Sequence, residues 1–271
     1  MAAKFEKNTF KKRLSSMMGV DFRRMFTSPL IYLMIGISLV MPILILVMVT
    51  MMDGSVSINP QTGEETIMEG FDTVWQIIGT STADATAGDA AMAMSITSMC
   101  NINMMFFAIS IFVCLFVGDD FRSGFAKNLF TVRSKKSDYV ISKTIACFVA
   151  GAMMIVAFFV GSMIGGVVAG LPFDLGSATI LNVIMCIISK VLLVGIFAAI
   201  YVLAAVFAKQ KLWLSILMSL GIGMLMFMMI PIITPLNSTI VNVILCLVGS
   251  VLFSFGIGFG SKKILEKTSL V

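Results

Sequence analysis

Residues 30–52 read LIYLMIGISLVMPILILVMVTMM, a stretch of 23 residues without one charge. As an α-helix it would extend roughly 35 Å, enough to cross a hydrocarbon core of about 30 Å with some tilt. It is too long for a signal-peptide core and has no small-residue cleavage site at its end, so it reads as a retained span. Working outward, five further apolar runs of similar length follow, at about 95–117, 140–169, 180–208, 212–234 and 239–260. Their lengths suit helices; a transmembrane β-barrel would show ~10-residue alternating strands instead. With 59% hydrophobic residues and a mean hydropathy of +1.04, the chain lies beyond the range of soluble domains. The expected fold is an all-α integral membrane protein of six transmembrane helices.

Charge orients it. Of the 19 Lys and Arg residues, 18 fall in the N-terminal arm, around residues 122–143, between spans four and five, or after span six. The exception is Lys190, inside span four. The loop at 53–92 carries seven acids and no Lys or Arg. Positive-inside bias makes the basic side cytoplasmic, with both termini there, in a multi-pass protein of the cell membrane. Tyr32, Tyr139 and Trp213 near the basic span ends, and Trp75 in the outer loop, suit an interfacial aromatic belt. The net charge of +5 is therefore read by location and not as a footprint for nucleic acid.

Three kinds of chemistry find little support. Histidine is absent, which removes the commonest general base and zinc ligand. Cys100, Cys114, Cys147, Cys186 and Cys246 all fall inside the apolar runs with no Cys-x-x-Cys pair, so they read as packing residues and no metal site is expected. "GIGFGSKK" at 256–263 lacks the spacing of a phosphate loop, so the chain is expected to bind no nucleotide and to be no enzyme.

Residues 1–28 are expected to form a basic amphipathic helix lying on the membrane, with Phe10, Leu14, Met17, Met18, Phe22 and Met25 on its apolar face. Asp21 interrupts that face, which is odd for a helix meant only for lipid. Ser28-Pro29 then starts the first span. In the outer loop, Phe71, Val74, Trp75 and Ile78 stand at helical spacing, so a short interfacial helix is expected there. Pro231 and Pro235 should break span five, and residues 261–271 form a short tail. Small residues four apart, including Gly161/Gly165 and Ser250/Ser254/Gly258, mark close helix packing. Polar residues inside the spans are scarce. Ser98, Asn101 and Asn103 read either as interhelical hydrogen-bonding groups or as a substrate path. Lys190 has three readings: snorkelling outward, pairing with Asp174 or another outer acid, or meeting cargo directly.

Between spans two and three lies "DDFRSGFAKNLFTV", residues 119–132. On a continuous helix Phe121, Phe125, Leu129 and Val132 form one apolar stripe, while Asp119, Ser123, Lys127 and Phe130 face the other way. The physics leaves two readings open: a solvated connector, or a stiff element that carries a push from a cytosolic partner into the spans.

The pattern resembles the ABC-2 type permeases, the membrane subunits of a class of ATP-binding-cassette transporters. "DFRRMFTSPLIYL" at 21–33 is similar to the family's acidic-then-basic N-terminal helix, at Asp21, Arg23 and Arg24. "DDFRSGFAKNLF" at 119–130 is similar to its acidic-x-x-x-Gly-Thr-x-Lys stretch, matched at Asp120, Gly124 and Lys127, with Phe125 where Thr is common. The resemblance implies a domain of six spans over 29–260. It also implies a coupling helix at about 119–132 that seats in a cytosolic ATPase through Asp119, Asp120, Phe121, Arg122, Gly124, Phe125, Lys127 and Phe130. ATP and Mg would be bound by that ATPase partner, and a second permease chain, like or unlike, would complete the path in the bilayer. Export of an amphipathic, antimicrobial, peptide or lipid-like compound from a bacterial cell is the expected role. The rivals are an ion-extruding permease of the same class and a non-transporting scaffold or immunity protein.

Overall fold

The structure is a computed structural model that describes residues 10–52, 55–58, 65–68, 70–79, 97, 100–132, 136–175, 179–209, 211–227 and 229–267. Ser98 and the polar run after Gly79 lie outside the described residues. In chain order the elements are α1 (Phe10–Thr27), α2 (Pro29–Met51), β1 (Ser55–Ile58), β2 (Glu65–Met68) and α3 (Asp72–Ile78). A 3-10 turn (Ile102–Met104) leads into α4 (Met105–Arg122), followed by α5 (Phe125–Val132), α6 (Lys136–Val168), α7 (Ile180–Ala208), α8 (Leu212–Phe227), α9 (Ile230–Ile233) and α10 (Ile240–Lys267).

Five of these helices are long and apolar enough to cross a membrane: α2, α4 with its 3-10 turn, α6, α7 and α10. Helix α8, with 16 residues, extends roughly 24 Å, short of a full hydrocarbon core. Helix α7 is the axis of the bundle, packed against α4, α6, α8 and α10. Its most apolar window is 72% buried, against 6% for α10, which leaves most of its surface free for lipid or another chain.

Small residues set the closest approaches. A methyl group added at Gly161 would overlap the Leu39 carbonyl, and one at Gly165 would sit 2.9 Å from the Ile43 Cα, so α2 and α6 touch backbone to backbone. Pro42 lies in that same contact, with its ring 2.9 Å from the added methyl at Gly161. Ser254 donates to the Gly195 carbonyl at 3.2 Å, joining α10 to α7 at the small-residue stripe. Ser28 caps α2 by accepting from the Leu30 N–H at 3.3 Å, with Pro29 in the first turn.

Several boundaries differ from expectation. The α-helix of the second span begins at Met105 and continues through Asp119 and Asp120 to Arg122, so these acids lie in the last turn of a span and do not open a separate helix. Ser123 and Gly124 then turn the chain into α5, with Gly124 at φ +75°, where a residue without Cβ is at ease. Helix α10 runs unbroken to Lys267, so most of the expected tail is helix. Its end is tied down where Lys136 Nζ donates to the Leu265 carbonyl at 2.6 Å. The loop after α2, expected to be the outer one, is also not wholly helical or irregular: β1 and β2 pair antiparallel from Ser55↔Met68 to Ile58↔Glu65. Helix α3 lies on the protein and not on lipid. Phe71, Val74, Trp75 and Ile78 are buried, and Trp75 donates to the Asp174 carbonyl at 2.8 Å.

Candidate functional site

The site forms where α1, the last turn of α4 and the first turns of α6 meet, at the basic end of the bundle. Met17, Asp21 and Met25 succeed one another at four-residue spacing on the buried face of α1. That face lies against α6, which explains the odd acid. Asp21 faces a cation and not lipid: its carboxylate is 2.9 Å from Lys143 Nζ and accepts from the Ser142 hydroxyl.

Lys143, fully buried, bridges two carboxylates. Its ammonium lies 2.8 Å from Asp120 as well as 2.9 Å from Asp21, and 4.0 Å above the centre of the Phe116 ring. Asp120 is fully buried too, accepting from the Tyr139 hydroxyl at 2.9 Å and pairing with Arg24 at 2.5 Å. Asp21, Asp120, Lys143 and Arg24 therefore sum to no net charge; the first three are closed to water, and Arg24 reaches them from the part-exposed rim. Burying ions costs several kcal/mol each unless opposite charges offset it, and here Lys143 lies 2.9 and 2.8 Å from the two carboxylates. On the flank, Arg13 pairs with Asp138 at 3.1 Å.

Helix α5 is mounted on this cluster. Arg24 stacks over the Phe125 ring at 4.1 Å, and Phe130 meets Tyr139 edge-on with centroids 5.3 Å apart. Phe121 approaches the same tyrosine at 6.3 Å. Phe130 is thus half-buried against α6, not presented alone to solvent. Lys127 and Arg23 are exposed, as is Arg122 at the end of α4. Asp119 is largely exposed, 3.8 Å from Arg24.

Of the residues singled out in the sequence, Asp21, Arg24 and Asp120 converge, with Phe121, Phe125 and Phe130 packed around them. Sequence reasoning missed Lys143, Tyr139 and Ser142 as site residues, having read Lys143 as a topology marker and Tyr139 as belt. The signal was present: Tyr139 and Lys143 stand one turn apart at the start of an apolar run, on the face a helical projection turns inward.

A second polar group lies towards the other end. Lys190 is fully buried and donates to Asn103 Oδ1 at 2.7 Å and Thr234 Oγ1 at 3.0 Å. It neither reaches the surface nor pairs with a carboxylate among the described residues. Asn101 caps the 3-10 turn, accepting from the Asn103 N–H at 3.0 Å. Among the described residues, no group of three or more His, Cys, Asp or Glu side chains is placed to hold a metal ion.

Comparison with known families matches residues 22–226 to the family described as ABC-2 family transporter protein. The chain belongs to the ABC-2 transporter family. The match runs from the middle of α1 into α8, taking in Arg24, Asp120, Tyr139 and Lys143, and leaves α10 outside. No curated protein and no solved structure shows significant similarity. Family and apolar helices together make this a multi-pass membrane protein, a membrane component and not itself a catalyst.

Proposed function

We propose that the chain is the permease subunit of an ATP-binding-cassette exporter, driven through α5 by a separate cytosolic ATPase that binds ATP and Mg. The observation that carries this reading is the mounting of α5 on the charge cluster. A rigid helix of eight residues sits on Arg24 and Tyr139, and those side chains hold Asp120 at the end of one span helix, directly above the start of another. A push on α5 therefore reaches α1, α4 and α6 together, through ion pairs that resist independent sliding. In this reading the basic end is cytoplasmic, and two permease chains, like or unlike, enclose the path. Closure of the ATPase rocks it between inward- and outward-facing states. The cargo class that suits so apolar a bundle is amphipathic: an antimicrobial, peptide or lipid-like molecule leaving a bacterial cell.

Proteoliposomes holding the permease and its ATPase test this. Lys127→Glu places the wrong charge on the exposed face of α5. It should abolish most permease-dependent stimulation of ATP hydrolysis while insertion and yield stay normal. A scaffold protein would instead bind its partner and leave ATP turnover unchanged in wild type and variant alike.

A further inference from the structure

A groove of about 530 Å3 opens at the basic end, between the α1–α2 corner, the last turns of α4 and the start of α8. Its size falls in the range of small-molecule sites, roughly 300–1,000 Å3. Leu30, Phe116 and Leu212 supply apolar wall, and Arg24, Asp119 and Arg122 supply the charged rim. Arg24 is committed to Asp120. Arg122 is exposed and takes part in none of the ion pairs among the described residues. Ser28 and the first turn of α2 line the same groove, which adds the positive end of a 23-residue helix dipole. The groove lies where three apolar helices begin or end, the level of lipid headgroups. Trp213, beside Leu212, is 66% exposed as an interfacial anchor would be.

We infer that this groove binds one anionic phospholipid of the adjoining leaflet, its phosphate against Arg122 and its upper acyl chain along Leu30, Phe116 and Leu212. A cation above apolar wall selects a ligand that is anionic at one end and greasy at the other. A free phosphate would leave the apolar wall empty; phosphatidylcholine, whose cation would face Asp119 on the rim, would overturn the choice of an anionic headgroup if it bound as tightly. Because the groove touches Arg24, an occupied site would also brace the corner that holds the charge cluster.

Delipidated permease, without any ATPase, is titrated with phosphatidylglycerol, with phosphatidylcholine of the same chains, and with inorganic phosphate. Bound lipid is counted by native mass spectrometry and melting followed in parallel. Phosphatidylglycerol should bind and raise the melting temperature, and the other two should do neither. Arg122→Glu should lower phosphatidylglycerol affinity roughly five-fold or more, the scale of one surface cation at an anionic leaflet. Arg122→Lys should retain most of it. Lys263→Glu, an equal charge change at an exposed position on α10, should leave it unchanged. Undiminished binding by Arg122→Glu would overturn the site, and an equal loss in Lys263→Glu would reduce it to diffuse surface charge. Phosphate binding as tightly as lipid would make it an anion site and overturn the lipid assignment. None of these results depends on coupling to an ATPase, so the proposed function would stand or fall separately.

Discussion

Lys143 stands between two buried carboxylates, and neither Asp21 nor Asp120 has water to turn to. Lys143→Met should cost about 3–5 kcal/mol, the usual penalty for removing one partner of a buried ion pair. Asp21→Asn added to Lys143→Met should recover part of that loss, since Asp120 keeps Arg24 and Tyr139. Thermal melts of the two single variants and the double variant give the coupling; a double loss equal to the sum of the single losses would show that Asp21 and Lys143 act independently. Lys190→Met is expected to cost less, about 1–3 kcal/mol, because it strands neutral oxygens on Asn103 and Thr234 and not ions. At this scale the sequence is legible only by halves. Asp21 on an apolar face and Lys190 inside a span announce themselves as anomalies, but their partners lie 122 and 44 residues away in the chain. Lys143 hid for the opposite reason: a lysine at a span end is what topology alone would put there.

Elements were legible where hydropathy speaks and obscure where backbone conformation decides. Apolar runs mark α2 and α7 to within a residue, whereas α6 starts at Lys136, four residues before its apolar run. The stripe of Phe121, Phe125 and Leu129 continues in projection straight through Gly124, so a helical wheel cannot see the corner that separates α4 from α5. The corner is held in the left-handed region at φ +75°, with nothing within 4 Å of where a Cβ would point. Gly124→Ala therefore meets backbone strain and no clash, an expected loss of about 1–2 kcal/mol. Because that strain falls on the joint between α5 and the span, ATP-turnover stimulation should drop more than the melting temperature does. A drop in both in equal proportion would make the corner a structural feature only. Gly161 behaves differently. There a side chain meets the α2 backbone, so Gly161→Val should push the two helices apart and prevent accumulation of folded protein in the membrane.

For the whole molecule, five long helices taken alone would leave the two ends of the chain on opposite sides. The contacts argue otherwise. Helix α7 descends from Lys190 to Ala208 at the basic end, and α8 starts there at Leu212. By Thr234 the chain is beside Lys190 and Asn103 again. By Leu236 its backbone lies 3.2 Å from where a Cβ on Gly79 would stand, next to the end of α3. Helix α10 then returns to the first residue of α6, where Lys136 holds Leu265. Short as α8 is, it and α9 together take the chain from beside Ala208 back to the level of Lys190 and Gly79. Cysteine labelling with an impermeant reagent resolves this. Asp72→Cys and Thr239→Cys, both at exposed positions, should react in intact cells, whereas Lys127→Cys and Lys263→Cys should react only after the membrane is opened. Thr239→Cys reacting together with Lys127→Cys would make α8 a re-entrant hairpin. Lys127→Cys reacting from outside would place α5 beyond the reach of cytosolic ATP, and the drive proposed for the charge cluster would have no source.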